Sequence, residues 1–419
     1  MMTRPHRPVP IADRLTGAGL LTAALLLNPF GAQGADWPQW RGPNRDGLSS
    51  ESGWRSTWPE GGPKILWRKN VGAGYSAVSV AAGRLYTMGN IEGYVKTSDI
   101  VWCLDAASGN EIWRYAYASK PGAYPGPRTT PTVDGDLVFT LSRHGDLLCL
   151  NAKDGTVRWQ KNVREAFGVK NEPHTWGLAA SPLALGDRLI LDLGKILVLD
   201  KATGTLLFAL GEDSPGFSSP MVFDIGGTPY VSSFNPFGLV LYDLGRQKEV
   251  GRHEWKTKLM ANTATPVVSG DRLFISSGYG RGCALLRAGP AGLQVVYENT
   301  NVSSECVTGV LFQDHVYGVS GDQGMQGSLK CLNFSTGQVK WEHGGFNVGG
   351  GIIIADGKFL HLTADGELIV AAATPDTYRE LARAKVLERH CWTMPVLANG
   401  RIYCRNSKGD LVCLDVAGP

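Results

Sequence analysis

Cys149-Leu-Asn-Ala-Lys-Asp-Gly155-Thr-Val-Arg-Trp159 and Cys331-Leu-Asn-Phe-Ser-Thr-Gly337-Gln-Val-Lys-Trp341 are two copies of one phrase. A third copy is Cys103-Leu-Asp-Ala-Ala-Ser-Gly109-Asn-Glu-Ile-Trp113, and Val198-Leu-Asp-Lys-Ala-Thr-Gly204-Thr-Leu-Leu-Phe208 is a degenerate one. They recur every forty-odd residues, a period that marks solenoids or propellers. Within each copy an apolar run passes through a Gly-containing turn into a run that ends on an aromatic, as two strands of a hairpin do. The last copy, Cys413-Leu414-Asp415, stops before its Gly and Trp, whereas Pro63-Lys-Ile-Leu-Trp67-Arg-Lys-Asn70 offers a Trp strand with no phrase ahead of it. The two halves complement each other. They predict a closed ring, because an open solenoid needs polar caps rather than a split copy.

With the Trp position as a ruler, the copies fall at Trp67, Trp113, Trp159, Phe208, Trp255, Tyr297, Trp341 and Leu387. Copy two divides into Thr130-Val133, Leu137-Ser142, Asp146-Asn151 and Thr156-Lys161, with hairpin-forming Asp134-Gly135, His144-Gly145 and Asp154-Gly155 between them. The last copy has three such runs, Thr393-Leu397, Arg401-Arg405 and Asp410-Asp415, and residues 63–70 are expected to supply the fourth. Pairing both chain ends in one sheet removes a free edge. The fold class is therefore all-β: an eight-bladed β-propeller of four-stranded blades, with residues 63–419 as one domain closed by an N-terminal strand that completes the C-terminal blade. Gly at 54 of 419 residues and a charged fraction of only 19% suit short strands and tight turns. The sequence suggests a helix only around Asp376 to Ala384, where Tyr378, Leu381 and Ala382 have helical spacing. The repeated Trp is read as packing: an indole laid on a neighbouring blade's Gly turn meets bare backbone.

Residues 1–34 are expected to be a signal peptide. Arg4, Arg7 and Arg14 precede the apolar run Leu15 to Leu27, and Ala32-Gln33-Gly34 offers small residues for cleavage after Gly34 or Ala35. The run is short for a membrane span, and none is expected after cleavage. Residues 35–62 are expected to form an N-terminal extension packed on the ring. Loss of three Arg and Asp13 with the leader would lower the formal net charge from +3 to +1, and no basic run points to nucleic acid. The location implied is periplasmic or secreted, and the chain is expected to be monomeric. Cys103, Cys149, Cys331 and Cys413 share one repeat position, which calls for a small apolar core residue and not for disulfides between blades. Cys404 and Cys413 flank the Lys408-Gly409 turn and form the one candidate disulfide.

The phrase Leu-Asp-Ala-x-Thr-Gly-x-x-x-Trp, seen here in variants, resembles the pyrroloquinoline-quinone (PQQ) repeat of eight-bladed quinoprotein-type propellers, over roughly residues 36 to 416. Asp36-Trp37-Pro38-Gln39-Trp40-Arg41-Gly42-Pro43-Asn44-Arg45-Asp46-Gly47 looks like the mature start of an exported bacterial subgroup. Gly126-Pro-Arg-Thr-Thr-Pro-Thr-Val133, Ser276-Ser-Gly-Tyr-Gly280 and Cys391-Trp-Thr-Met-Pro-Val396 are similar to further signatures of that group. The resemblance has two functional implications. Quinoprotein dehydrogenases hold PQQ and Ca²⁺ on the axis and use an adjacent Cys-Cys pair, which this chain lacks. The propeller lipoprotein of the outer-membrane barrel-assembly machinery is a binding scaffold; this chain departs from it in having no lipidation Cys.

Propellers bind ligands where the innermost strands begin. The segments ahead of those strands contain Tyr75, Arg128, His174, Trp176, Phe217, Asn262, Glu305, Asn347, His390 and Trp392. Glu305 and His174 are the candidate catalytic groups. Arg128, Trp176, Asn262, Asn347, His390 and Trp392 are candidate ligand or cofactor contacts, and Glu305, Asn262 and Asn347 are candidate metal ligands. The bland alternative is turn chemistry for the Asn and Ser residues and rim packing for the Trp residues. The chain has no phosphate loop, no paired zinc spacing and no Gly-x-Ser-x-Gly elbow. The preferred reading is a non-catalytic exported scaffold that binds an unidentified protein or small molecule at its axial face, with no cofactor assured. The alternative is a PQQ- and Ca²⁺-dependent oxidoreductase of an alcohol or sugar. A third reading is a carbohydrate-active enzyme that uses His174, Arg128 and Glu305.

Overall fold

The computed structural model describes residues 35–418, apart from 93–96, 123, 172, 173 and 175. The leader expected at 1–34 lies outside the described residues. No helix among the described residues is long and apolar enough to cross a membrane. Among the described residues eight sheets follow one another, each built on four antiparallel strands, and the seventh carries a fifth. Their innermost strands, in blade order 1 to 8, are Ser79–Ala81, Thr132–Asp134, Leu183–Leu185, Met221–Ile225, Val267–Ser269, Val310–Phe312, Gly351–Ala355 and Val396–Ala398. The ring closes as expected. Lys64–Asn70 is the outermost strand of blade 8, paired antiparallel with Asp410–Asp415, and Trp67 stands opposite Cys413.

The repeat phrase builds the joints between blades. Its Cys lies fully buried in the third strand, and its Trp stands opposite that Cys beside a bulge, as at Cys103↔Trp113 and Cys331↔Trp341. The indole then covers the next blade's Gly turn. A Cβ on Gly109 would lie 2.6 Å from Trp67, and one on Gly155 would lie 2.5 Å from Trp113. Each indole N–H also donates to a carbonyl of the covered turn: Trp67 to Ala106 at 3.2 Å, Trp113 to Ala152 at 3.0 Å and Trp159 to Lys201 at 3.0 Å. This bond satisfies the one polar atom of a buried indole.

Register corrects four expectations. In blade 4 the residue beside the bulge, opposite Leu241, is Gly251, and Trp255 follows the outermost strand. In blade 7 it is Ala382, opposite Val370, rather than Leu387. The segment expected to be helical around Asp376 to Ala384 contributes Glu380–Lys385 to that outer strand, because a pairing edge along Glu367–Ala372 outweighs a weak helical spacing. Cys404 pairs with Val412 and Cys413 with Tyr403, a one-residue offset that sends the two side chains to opposite faces, and both thiols are free. The one α-helix among the described residues, Val163–Phe167, was not expected. Asn162 caps its start, and Gly168 ends it at φ 63°.

The N-terminal segment crosses the axis of the ring. Trp37 exchanges backbone bonds with Val80 of blade 1, and Val133 of blade 2 donates to Pro38 O. Arg45 reaches Ser181 O and Pro182 O of blade 3, and Arg41 reaches Thr308 O and Gly309 O of blade 6. Leu48–Ser49 adds a short parallel strand to blade 7, and Glu51 accepts from Gly400 N of blade 8. A segment bonded to blades on opposite sides must lie across the middle. Arg41 and Arg45 are 2% and 3% exposed and spend their donors mostly on backbone carbonyls; burial pushes their guanidinium pKa values down to about 10 and about 9.

Candidate functional site

The innermost strands all start from one end of the axis, so the residues a few places ahead of them converge there. Tyr75, Arg128, Trp176, Phe217, Glu305 and Trp392 come together around a cavity of about 540 Å³. The N-terminal segment closes its inner end through Trp40, whose indole N–H donates to Thr265 Oγ1 at 3.2 Å. Ring-to-ring hydroxyl bonds hold the strand starts in place. Ser181 Oγ accepts from Thr130 N at 3.0 Å, Ser219 Oγ from Ser181 N at 2.9 Å, and Thr308 Oγ1 from Thr265 N at 2.8 Å. This explains the Ser-Pro steps at 181–182 and 219–220: the hydroxyl ties neighbouring blades together, and the Pro, having no N–H, needs no acceptor there.

Two aromatic walls and an acidic corner line the cavity. Tyr75 and Trp392 stack at 5.5 Å and 23°, with the Arg128 guanidinium 5.3 Å over Tyr75 and donating to Gly126 O and Tyr124 O. Trp176 packs at 5.2 Å against Phe217, and His174 stacks on Trp176 at 4.3 Å. In the corner, Tyr279 Oη donates to Glu305 Oε1 at 2.5 Å, Gln323 N donates to Glu305 Oε2 at 2.6 Å, and Tyr279 N donates to Asp322 Oδ1 at 2.7 Å. Burial and the bond to Glu305 push the Tyr279 phenol upward, so it remains a donor at neutral pH. Burial also pushes the Cys306 thiol well up, which leaves it protonated and unreactive. Trp392 Nε1 and Gln323 Oε1 are buried without a partner among the described residues.

The remaining predicted residues lie elsewhere. Asn262 is fully buried and spends its amide on Asn235 O and Trp255 O while accepting from Ser277 Oγ, so it is a structural cross-link. Asn347 ends the outermost strand of blade 6, donates to Asp365 and accepts from Gln326, away from the cavity. His174 stands behind Trp176 with Nε2 2.5 Å from Leu259 O, and His390 is an exposed residue 5.8 Å from Trp392. Tyr279, Asp322 and Gln323 were missed because they come from other loops than the strand starts; Tyr124 lies on the same segment as Arg128, four residues ahead of it. For Tyr279 a signal did exist. Each of the four stretches that carry the family resemblance reaches the cavity, through Trp40, Arg128, Tyr279 and the pair Trp392 and Thr393.

A sequence model of the family described as "Outer membrane protein assembly factor BamB" matches residues 49–233 and 97–343, well over half of the chain. The chain belongs to this family. An outer membrane protein assembly factor BamB of Moranella endobia is 22% identical over 322 residues, 73% of this chain and 80% of that protein. The crystal structure of BamB from Moraxella catarrhalis superposes with a TM-score of 0.59 at 18% identity, covering 83% of this chain and 98% of that one. The quinohemoprotein alcohol dehydrogenase of Comamonas testosteroni gives a TM-score of 0.66 at 14% identity over 92% of this chain and 81% of its own. Both structural likenesses concern the fold.

PQQ with Ca²⁺, one implication of the sequence resemblance, does not fit the residues of this cavity. Ca²⁺ takes six to eight oxygens. Of the three expected ligands only Glu305 lines the cavity, and with Asp322 beside it the site falls short of that number of oxygens. Among the described residues no group of three or more His, Cys, Asp or Glu is placed to hold a metal. The quinone's carboxylates would meet two acids, Glu305 and Asp322, against one Arg128.

Proposed function

We propose that this chain is an exported, periplasmic, non-catalytic β-propeller scaffold that serves the assembly of outer-membrane proteins. Membership of the family described as an outer membrane protein assembly factor supports this reading, as does the relative of that name in Moranella endobia. The observation that carries it is the placement of Asn262 and Asn347. With one locked in a buried cross-link and the other on an outer strand, neither joins Glu305 at the cavity, so the metal-ligand set expected of a dehydrogenase is incomplete among the described residues. The outermost strands also present half-exposed aliphatic side chains, among them Leu207 at 49% and Val295 at 50%. Open strand edges and such side chains are what a partner protein can pair with and cover.

The reading is tested in the source cell. Depletion of the protein is expected to lower the amount of folded, heat-modifiable β-barrel protein in the outer membrane, and expression of the Glu305→Gln variant is expected to restore it. Unchanged barrel levels after depletion would refute the assembly role.

A further inference from the structure

We propose that the axial cavity is a carbohydrate-binding cup that takes one or two sugar rings of a glycan between its aromatic walls. This goes beyond the scaffold reading, and its failure would leave that reading standing, because barrel assembly is measured separately. Aromatic faces carry partial negative charge and attract polarised C–H groups. A sugar ring offers such groups on its faces and hydroxyls around its rim. The Tyr75–Trp392 stack, the Trp176–Phe217 pair and the Trp40 floor supply the faces.

The polar groups call for a ligand that both donates and accepts. Ser181 and Ser219 accept backbone N–H bonds, and Thr265 accepts the Trp40 indole N–H, so each keeps its own hydroxyl hydrogen to donate. Opposite in character, Glu305 uses one acceptor site on each oxygen and retains others, and Asp322 stands beside it. The buried Trp392 N–H and Gln323 Oε1 leave one more donor and one more acceptor unmet. Each sugar hydroxyl can serve either kind. An anion would face two carboxylates, and a simple cation would leave every hydroxyl donor unmet beside the Arg128 guanidinium. A volume of about 540 Å³ lies within the range of small-molecule sites.

The test titrates the purified full-length protein with chitobiose, cellobiose, maltose and lactose, and in parallel with tetramethylammonium and benzoate, by tryptophan fluorescence and calorimetry. At least one disaccharide is expected to bind saturably, one per chain. Trp176→Ala and Glu305→Gln are each expected to weaken it about tenfold or more. Glu305→Gln preserves shape, so it keeps the test decisive if Trp176→Ala fails to fold. Failure of all four sugars, binding of only the cation or the anion, or sugar binding unaltered by Glu305→Gln would each overturn the proposal.

Discussion

Replacing Arg405 with Met is expected to loosen the closure of the ring. Arg405 ends the second strand of blade 8, is 1% exposed, and has no carboxylate among its hydrogen-bond partners. Its guanidinium donates across the closing joint to Ser76 O at 2.8 Å, Thr87 Oγ1 at 3.0 Å, Met88 O at 2.5 Å and Gly72 O at 2.9 Å, all on blade 1 or the segment leading into it. Burial pushes its pKa from 12.5 down to about 9, which corresponds to about 5 kcal/mol of desolvation at 1.36 kcal/mol per tenfold. Three of these four bonds share the two Nη1 hydrogens, so they amount to about three full bonds from a charged donor, each contributing about 1.5–3 kcal/mol, and offset that cost. Met removes the charge and its desolvation together, but it leaves three carbonyls without this donor, each worth about 1–3 kcal/mol. The expected loss is about 3–5 kcal/mol, a large share of the ~5–15 kcal/mol that holds a domain folded. Urea unfolding followed by tryptophan fluorescence measures it, and Arg405→Lys should recover only part, since one ammonium cannot reach all four acceptors. A variant within about 1 kcal/mol of the parent would refute the reasoning.

The indole–glycine joint is tested by a matched pair. Gly135→Ala (φ +57°, nothing near its Cβ) should cost only left-handed strain of about 1–2 kcal/mol, whereas Gly155→Ala (φ +73°) must also displace Trp113 and should cost about 2 kcal/mol more. Equal costs in thermal melts would rule out the indole as the reason for that glycine. His361 is fully buried, and burial holds its pKa near 4, below the ordinary 6.5, so the unfolded chain takes up the proton first on acidification. Stability from this group is complete above about pH 6.5 and falls by about 3 kcal/mol toward pH 4. Asp192, raised to about 7 by burial, works in the opposite sense over the same interval and masks the effect in the parent. The stability of His361→Asn relative to the parent should therefore rise by about 3 kcal/mol between pH 7 and pH 4 in urea titrations, and a pH-independent difference would contradict the assignment.

The blades were legible because their joint needs the same few atoms each time: a small buried Cys, a Gly without Cβ, and an indole. Where another residue fills the joint the ruler slipped, as at Gly251, which lies against Gly292 Cα, and at Ala382. The Cys404–Cys413 expectation failed by a single residue of register, which no composition rule fixes. Arg128, Trp176, Glu305 and Trp392 were legible at the cavity because position in the repeat sets direction toward the axis. Asn262 sits at the same kind of position, but its amide satisfies backbone carbonyls of blade 4, a need that depends on neighbours distant in sequence. Trp40 was beyond reach for a similar reason: nothing local reveals that residues 36–51 cross the ring and not its rim.

The central claim, a binding scaffold without quinone chemistry, is tested most directly by titrating the purified protein with PQQ and Ca²⁺ while following the quinone absorbance and dye reduction with alcohols and sugars. The account predicts no saturable absorbance change and no dye reduction above the protein-free rate. Binding of one quinone per chain with turnover, abolished by Glu305→Ala, would contradict it.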